Sequence, residues 1–271
     1  MIFNENKNIK IYNGDVIETI NNYIKEQEID IVVTSPPYNL GKKYSSYNDK
    51  IPINNYINWM NDFGKNIHKI LKSDGSFFLN IGYQNLQPSI PFILVQNLTE
   101  YFKLQNTIIW TKSITVNNES YGHFIPNNSN RYLNNIFEYV FHFTKDGSKT
   151  IDRNSIGVPY KDKRNIERFE NNKDKGDVRC GGNVWFIPHK TVKSKEEKFN
   201  HPTSFPEELV KKCILLNGHD NNTKVLDPFM GVGTTLKACV ELNTKGIGID
   251  IDKNYCEIAK NRIDALIKSK D

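Results

Sequence analysis

The feature that most restricts the fold is a strand, a glycine turn, a helix and a second strand that follow one another near residue 230. The apolar pair Val225-Leu226 leads into Asp227-Pro228-Phe229-Met230-Gly231-Val232-Gly233-Thr234-Thr235, and helical spacing continues through residues 234–242. A second strand is predicted at residues 246–251 and carries Asp250. A strand, helix and strand in this order build a parallel sheet and place the turn at the carboxyl end of the first strand.

The glycine turn predicts a nucleoside ligand. Gly231 and Gly233 allow the backbone to approach a ligand closely, and the helix that begins at Thr234 aims its first amides at the same place. Asp250 lies about 20 residues further on, the spacing at which an acid reaches a ribose hydroxyl in dinucleotide-binding units. The turn has neither the full three-glycine fingerprint nor a P-loop lysine, which favours a phosphate-free nucleoside. An ordinary tight turn is the alternative.

A second motif lies near the other end of the chain. Residues 29–33 predict a buried strand, which ends at Thr34-Ser35-Pro36-Pro37-Tyr38. The two prolines fix the backbone just past the strand and leave nearby carbonyls unpaired, because proline cannot donate to a sheet. Ser35 adds a hydroxyl and Tyr38 a flat face, a combination suited to the amino group and ring of a planar base. The alternative is a proline turn that only closes a buried strand.

Between these motifs, strands alternate with helices. Further strands are predicted at residues 9–12, 77–81, 107–112 and 138–143, the last two antiparallel to each other, and helices at residues 16–25, 53–72 and 90–101. This order predicts an α/β fold with a doubly wound, mostly parallel sheet that is covered on both faces. Residues 40–50 are predicted to form a mobile loop beside the active site, with Tyr44 and Tyr47 as candidate DNA contacts or as cover for apolar surface. Residues 117–135 are predicted to form a polar loop.

The basic excess is confined to one region. Residues 145–200 hold 14 Lys and Arg against 9 Asp and Glu, whereas the rest of the chain holds 22 of each. A basic excess in one polar segment indicates a surface for a polyanion, whose phosphates set affinity and position. A solvated, lysine-rich loop is the alternative.

Composition excludes several other classes of protein. The four cysteines, Cys180, Cys213, Cys239 and Cys256, have no CxxC spacing and no neighbouring histidine cluster, so neither a zinc site nor a disulfide framework is predicted. The last three lie in apolar helical patterns and are interpreted as reduced thiols in the protein core. Such cysteines are typical of a protein in a reducing cytoplasm. The sequence shows no signal segment and no apolar run of membrane-spanning length.

Taken together, these motifs resemble the S-adenosylmethionine-dependent DNA amino-methyltransferases of the circularly permuted β class. In that family the Ser/Asp-Pro-Pro-Tyr element comes first, the target-recognition region follows, and the cofactor glycine turn comes last, as here. The resemblance also rests on Asn13-Gly14-Asp15, Asp74-Gly75-Ser76, Ile108-Ile109-Trp110-Thr111-Lys112, Asn183-Val184-Trp185 and His201-Pro202-Thr203-Ser204-Phe205-Pro206-Glu207-Glu208-Leu209. It implies a Rossmann-like methyltransferase domain with catalytic residues 1–144, a target-recognition insertion at 145–200 and a cofactor-binding half at 201–271.

The resemblance also implies roles for individual residues. The catalytic element is Ser35, Pro36, Pro37 and Tyr38, with Ser35 and the Pro36 carbonyl as acceptors for the substrate amino group. S-adenosylmethionine is expected to contact Asp15 near its adenine, Asp250 at its ribose, His201 at its carboxylate, and the turn of Asp227, Phe229, Gly231, Gly233 and Thr234 at its methionine end. Asp15 and Thr234 have an alternative as helix caps, and His201 as a surface histidine.

The implied reaction is methylation of an exocyclic amino group in duplex DNA after base flipping. Ser35 and the His-Pro-x-x-Phe-Pro segment resemble the N4-cytosine enzymes, with N6-adenine as the alternative. An RNA or protein-amide methyltransferase and a catalytically silent nucleic-acid-binding protein remain further alternatives. The resemblance also leads us to expect a prokaryotic cytoplasmic protein near the nucleoid, with a possible companion restriction endonuclease and a possible homodimer.

Overall fold

The computed structural model describes residues 1–6, 8–42, 46–83, 85–124, 126–168, 176–188 and 205–270. The strands in this part of the chain are β1 (Ile2–Glu5), β2 (Ile9–Asn13), β3 (Ile29–Thr34), β4 (Leu71–Ile81), β5 (Lys103–Thr111), β6 (Ser113–Val116), β7 (Glu119–Gly122), β8 (Phe137–Thr144), β9 (Val184–Phe186), β10 (Lys224–Asp227) and β11 (Lys245–Asp250). The helices are α1 (Val16–Tyr23), α2 (Ile53–Ile70), α3 (Ile90–Leu98), α4 (Arg164–Arg168), α5 (Glu207–Asn217), α6 (Thr234–Glu241) and α7 (Lys253–Lys268).

Nine strands form one twisted sheet in the order β1-β2-β11-β10-β3-β4-β8-β5-β9. The five central strands from β2 to β4 are parallel, and β8 runs antiparallel to both of its neighbours. This confirms the predicted α/β fold with a mostly parallel sheet. From β10 the chain crosses to β11 on one side, whereas from β3 it crosses to β4 on the other. The carboxyl ends of β10 and β3 therefore flank a topological switch point, where open α/β sheets bind their ligands.

Each face of the sheet is covered by its own set of helices. Along β3, Ile31 and Val33 point into one core and Val32 into the other, as the two-residue period of a strand requires. The first core contains buried residues of α5, α6 and α7, and the second contains buried residues of α1, α2 and α3. Helix α2 buries Tyr56, Met60, Phe63, Ile67 and Ile70, which matches the helical spacing read from the sequence.

The sequence did not predict β1 or α4, and β4 begins at Leu71, earlier than the predicted strand at residues 77–81. Two further differences lie between β5 and α5. Part of the predicted polar loop is a hairpin of β6 and β7, whose turn residues Asn117 and Asn118 have φ values of 51° and 65°. Positive φ at both central positions is the geometry of a type I′ hairpin turn, which asparagine tolerates.

The second difference concerns the predicted 145–200 insertion. Its strand β9 pairs in parallel with β5 as the last strand of the main sheet. Trp185 and Ile187 are buried in the core of the main sheet, and Trp110 Nε1 donates to the Ile187 carbonyl at 2.8 Å. This end of the segment is therefore part of the main sheet, while a recognition role for the segment stays a prediction.

Candidate functional site

A cavity of about 910 Å³ opens at the carboxyl ends of the central strands. The proline motif after β3 and the glycine turn after β10 meet in its wall, although they are far apart in sequence. Its lining includes Asp15, Ser35, Pro37, Tyr38, Trp59, Asn80, Lys112, Glu138, Phe229, Gly231, Thr234, Asp250 and Asp252. The structure thus brings most of the predicted site residues to a single cavity.

Asp227 is among the predicted cofactor ligands but does not line the cavity, and its carboxylate oxygens accept hydrogen bonds from neighbouring protein groups. Thr34 Oγ1 donates to Asp227 Oδ1 at 2.8 Å, and Thr235 Oγ1 donates to Oδ2 at 2.5 Å. The Phe229 amide also donates to Oδ1, at 3.1 Å. Burial raises the pKa of Asp227 to about 6. Asp227 therefore shapes the glycine turn and joins it to β3.

The proline loop is anchored from below. Tyr56 of α2 donates its hydroxyl to the Pro37 carbonyl at 2.9 Å, so this carbonyl is paired, contrary to the expectation that the prolines leave carbonyls free. Pro36 is buried, while Ser35 and Tyr38 line the cavity. A Cβ at Gly82 would lie 3.0 Å from the Tyr38 ring, so the absence of a side chain there makes room for the ring.

A network of polar side chains that was not predicted from the sequence surrounds the Tyr38 hydroxyl. Tyr38 Oη lies 2.6 Å from Ser35 Oγ, 3.0 Å from Glu138 Oε2 and 3.3 Å from Asn80 Oδ1. Lys112 forms an ion pair with Glu138 Oε1. Burial, together with the Glu138 charge, holds the pKa of Tyr38 well above its usual value. Lys112 lies in a motif on which the family resemblance rests, whereas no motif in the sequence marked Asn80 or Glu138 as a site residue.

At the other end of the cavity, Asp250 positions the glycine turn. Gly231 has φ of 50°, and its amide donates to Asp250 Oδ2 at 2.9 Å. Asp250 Oδ1 accepts from the Asp252 amide at 2.8 Å. Burial raises the pKa of Asp250 to about 6. Asp250, which the spacing predicts as a ribose ligand, thus holds the glycine turn through its hydrogen bond to the Gly231 amide.

Gly233 serves packing more than ligand approach. Its φ of 81° is left-handed, and a Cβ there would lie 2.9 Å from the Cβ of Ala259 on α7. The glycine therefore allows α6 to begin against α7. Gly231 lines the cavity and Gly233 does not, and the predicted approach of a ligand to the two glycines stays a prediction.

The structure shows whether Asp15 and Thr234 act as helix caps, the alternative role considered for both. Asp15 caps α1, accepting from the amides of Ile17 at 2.9 Å and Glu18 at 3.0 Å, and it lines the cavity as well. Thr234 is the first residue of α6 and makes no side-chain cap, because the cap position belongs to Gly233. His201 lies outside the described residues, as does Tyr44.

Aromatic rings form the apolar wall of the cavity. Phe229 packs edge-on against Trp59 with a centroid distance of 5.6 Å, and against Phe63 at 5.2 Å. Trp59 of α2 also lines the cavity. Four carboxylates line the cavity too, those of Asp15, Glu138, Asp250 and Asp252, and Glu138 is paired with Lys112. An apolar platform with carboxylates beside it suits a nucleoside, whose ring can lie on the platform and whose hydroxyls can donate to the carboxylates.

Comparisons with known proteins agree with this geometry. Residues 29–261 match the model of N6_N4_Mtase, a DNA methylase family. The chain is 32% identical over 259 residues to the Type II methyltransferase M.HpaI of Haemophilus parainfluenzae, covering 95% of this chain and 75% of that protein. It is 27% identical over 259 residues to the DNA adenine methyltransferase YhdJ of Escherichia coli K12, covering 94% of this chain and 82% of that protein.

Two solved structures share the fold. The cytosine-N4-specific PvuII DNA methyltransferase superposes with a TM-score of 0.69 at 20% identity, covering 94% of this chain and 86% of that one. The M1.HpyAVI–SAM complex gives a TM-score of 0.57 at 24% identity, covering 94% of this chain and 99% of that one. The likeness therefore extends over nearly the whole length of the chain.

Proposed function

This chain belongs to the DNA methylase family N6_N4_Mtase, and from that membership we propose that it transfers a methyl group from S-adenosylmethionine to the N4 amino group of cytosine in duplex DNA. At the coarser level it is a DNA methyltransferase of the restriction-modification type. The choice of cytosine rests on one observation, the Ser35 hydroxyl in the wall of the cavity that Asp250 and Gly231 also line.

The residues in the wall fit the proposed cofactor. Asp250 and Asp252 offer carboxylates to ribose hydroxyls, Trp59 and Phe229 offer apolar faces, and Gly231 allows close backbone approach. S-adenosylmethionine, when bound, supplies an electrophilic methyl group on a positively charged sulfur. The nearby carboxylates complement that charge.

The proline motif prepares the substrate amino group. The lone pair of an exocyclic amino nitrogen is delocalised into the base, so the nitrogen becomes nucleophilic when acceptors hold its hydrogens and favour a pyramidal geometry. Ser35 Oγ and the Pro36 carbonyl are the proposed acceptors. The anchored loop holds Ser35 in place before substrate arrives, because Tyr56 fixes the Pro37 carbonyl.

Tyr38 provides a platform for the flipped base. In a duplex the amino group faces its Watson–Crick partner, so the nucleotide must leave the stack at a cost of about a few kcal/mol. The Tyr38 ring lines the cavity, and its hydroxyl is hydrogen bonded at the far end, so the ring orientation is fixed. Stacking on this ring offsets part of the cost of flipping.

Cytosine is favoured over adenine by the serine at position 35. Serine before Pro-Pro resembles the N4-cytosine enzymes, whereas Asp or Asn at this position resembles the N6-adenine enzymes. N6-adenine methylation is the second candidate, and it is favoured by the 27% identity to a DNA adenine methyltransferase. The basic segment at residues 145–200 is the proposed DNA-binding surface. A companion endonuclease and a homodimer stay predictions.

The test is product identification. Purified protein is incubated with methyl-labelled S-adenosylmethionine and unmethylated duplex DNA of diverse sequence, and the DNA is digested to nucleosides for chromatography and mass spectrometry. We expect N4-methylcytosine in the wild type and a severe loss of product in Ser35→Ala. N6-methyladenine would refute the base assignment and keep the family activity. RNA and protein substrates, run in parallel, test the remaining substrate classes.

A further inference from the structure

The hydrogen bonds around Tyr38 have a direction that the structure determines. Tyr38 Oη carries one hydrogen and has three oxygen neighbours: Ser35 Oγ at 2.6 Å, Glu138 Oε2 at 3.0 Å and Asn80 Oδ1 at 3.3 Å. A hydroxyl and a phenol can each donate or accept, whereas a carboxylate only accepts. The direction of the Ser35–Tyr38 bond therefore depends on what the other two neighbours require.

Both of those neighbours are acceptors. Asn80 Nδ2 donates to Glu138 Oε2 at 3.0 Å and to the Tyr139 carbonyl at 3.1 Å, which leaves Asn80 Oδ1 facing the phenol. If Tyr38 donated to Ser35, its oxygen would face the Glu138 carboxylate and the Asn80 oxygen without a hydrogen between them. Such an arrangement in a partly buried site is costly. Tyr38 must therefore donate toward Glu138, and Ser35 must donate to Tyr38.

We propose that Glu138 is a positioning residue that sets the polarity of this chain of hydrogen bonds and thereby makes Ser35 Oγ an obligatory acceptor. With its own hydrogen committed to Tyr38, Ser35 Oγ keeps only lone pairs for the cavity. A neutral serine then presents to the substrate amino group what a carboxylate would present. This inference rests on the proposed function, since it explains how Ser35 holds an amino group.

Lys112 completes the arrangement from the far side. Its ammonium pairs with Glu138 Oε1, which leaves Oε2 for Tyr38 and Asn80. The side chains of Lys112 and Glu138 are 19% and 15% exposed, so the pair is shielded more than a surface salt bridge. Lys112 balances the charge of Glu138 and holds its carboxylate in the orientation that turns Oε2 toward Tyr38. The proposed direction of the hydrogen bonds requires that orientation.

Glu138→Gln tests the direction, because the amide is expected to reverse it. The oxygen of the new amide must face Lys112, which only donates, and its NH₂ group then faces Tyr38 Oη and Asn80. The Asn80 amide, which donates to Oε2 in the wild type, must turn over so that its oxygen accepts from this NH₂ group. The phenol hydrogen becomes free to turn to Ser35, whose own hydrogen then points into the cavity. We expect kcat to fall about 100-fold, the order found when one preorganised group is lost from a reacting site. The dissociation constant for S-adenosylmethionine, measured by calorimetry, should stay within about threefold of wild type.

A double-mutant cycle separates this role from general support of the fold. In Tyr38→Phe the link between Glu138 and Ser35 is cut while the ring remains. Adding Glu138→Gln to Tyr38→Phe should then lower kcat by less than about threefold. Glu138 affects Ser35 only through the Tyr38 hydroxyl, which Tyr38→Phe has already removed, so the two effects are not additive. An equal 100-fold fall in both backgrounds would overturn the proposal, as would wild-type kcat in Glu138→Gln.

A second readout needs no DNA. In protein labelled with ¹³Cζ-tyrosine, the Tyr38 resonance is the one lost in Tyr38→Phe. We expect Glu138→Gln to move it upfield, because the phenol no longer donates to a carboxylate. Glu119→Gln is the matched control: Glu119 accepts from Tyr121 Oη at 2.6 Å on the exposed hairpin, so this change should leave the Tyr38 resonance in place.

The two readouts distinguish failure of this inference from failure of the proposed function. A wild-type protein that methylates no DNA would refute the function, while the Tyr38 resonance would still report the direction of the bond. Methylation by the wild type with no movement of that resonance in Glu138→Gln would refute the inference alone.

Discussion

Thr34, the last residue of β3, donates its hydroxyl to Asp227, the last residue of β10, at 2.8 Å. These two strands are parallel neighbours in the sheet, and the proline motif and the glycine turn begin at their ends. One buried hydrogen bond thus sets the spacing between the proposed acceptors of the amino group and the proposed cofactor turn. The pairing of β3 with β10 and this hydrogen bond together fix the position of one motif relative to the other.

Thr34→Val should disturb both ends of the cavity. The change keeps the shape of the side chain but removes a donor from a buried carboxylate, which we expect to cost about 1–3 kcal/mol of unfolding free energy. We expect weaker binding of S-adenosylmethionine as well, because Asp227 also accepts from the Phe229 amide. Urea unfolding and calorimetry measure the two effects. Thr34→Ser keeps the hydroxyl and is the control; an equal loss in both variants would contradict a role for this bond.

The raised pKa of Asp227 predicts a pH dependence of stability. The pKa is about 6 in the fold and about 4 in the unfolded chain, so the native state binds the proton more tightly. The stabilisation is fully present below about pH 4 and is lost as the pH rises through about 6. Relative to Asp227→Asn, the wild type should gain about 1–2 kcal/mol between pH 8 and pH 5.

The comparison with Asp227→Asn is needed because another buried group has the opposite effect. Burial lowers the pKa of His142 to about 4, so His142 destabilises the fold as the pH falls below its usual pKa. Asp250, with a pKa of about 6, acts in the same direction as Asp227. Both groups remain in the variant, so their contributions cancel from the difference except for the part of the Asp250 pKa shift that comes from the Asp227 charge, the smallest of its causes. A difference in unfolding free energy that does not change with pH would show that Asp227 is not protonated in this range.

Local patterns in the sequence predicted the sheet well. The continuous apolar run before Thr34 indicated a buried parallel strand, and the spacing of apolar residues in 53–72 indicated α2. Short elements were not predicted. Strand β9 has only three residues and depends on pairing with β5, and the β6–β7 hairpin depends on two asparagines with positive φ. Elements of this length carry too few residues to show a period.

The motifs also located the cavity, but they did not show which side chains face it. Asp227 and Gly233 belong to the glycine turn, yet one shapes the turn from below and the other packs on α7. Asn80 and Glu138 meet because β4 and β8 pair antiparallel, with Ile81 opposite Tyr139. A shift of one residue in that pairing would turn the side chains to the other face. Register of this kind depends on the whole fold, so it could not be derived from either strand alone.

Asp15 caps α1 and has a proposed second role in binding the cofactor, and mutation can separate the two. Asp15→Ala should cost about 1 kcal/mol of unfolding free energy, because two amides of α1 lose their acceptor. Asp15→Ser retains a capping oxygen and should keep wild-type stability, yet it removes the carboxylate from the cavity. We expect Asp15→Ser to weaken binding of S-adenosylmethionine, measured by calorimetry. Unchanged affinity in the serine variant would mean that Asp15 acts only as a helix cap.

Gly233→Ala should be strongly destabilising for two reasons that can be measured separately. Its left-handed φ of 81° costs about 1–2 kcal/mol for any residue with a Cβ, and the new methyl group would lie 2.9 Å from the Ala259 Cβ. Gly182 has a similar φ of 85° with nothing within 4 Å, so Gly182→Ala reports the cost of the backbone alone. We expect the unfolding free energy to fall further in Gly233→Ala than in Gly182→Ala.

The excess should shrink when Gly233→Ala is made in an Ala259→Gly background, where the opposing methyl group is absent and the nearest atom is the Cα of residue 259 at 3.3 Å. There the cost of alanine at position 233 should fall toward that of Gly182→Ala. If the full excess persisted, the contact with the Ala259 methyl group would not be its source. Recovery would instead show that α6 begins at the cavity only because Gly233 lets it lie against α7. The glycine of this motif would then position the helix, and Gly231 alone would be left to admit the ligand.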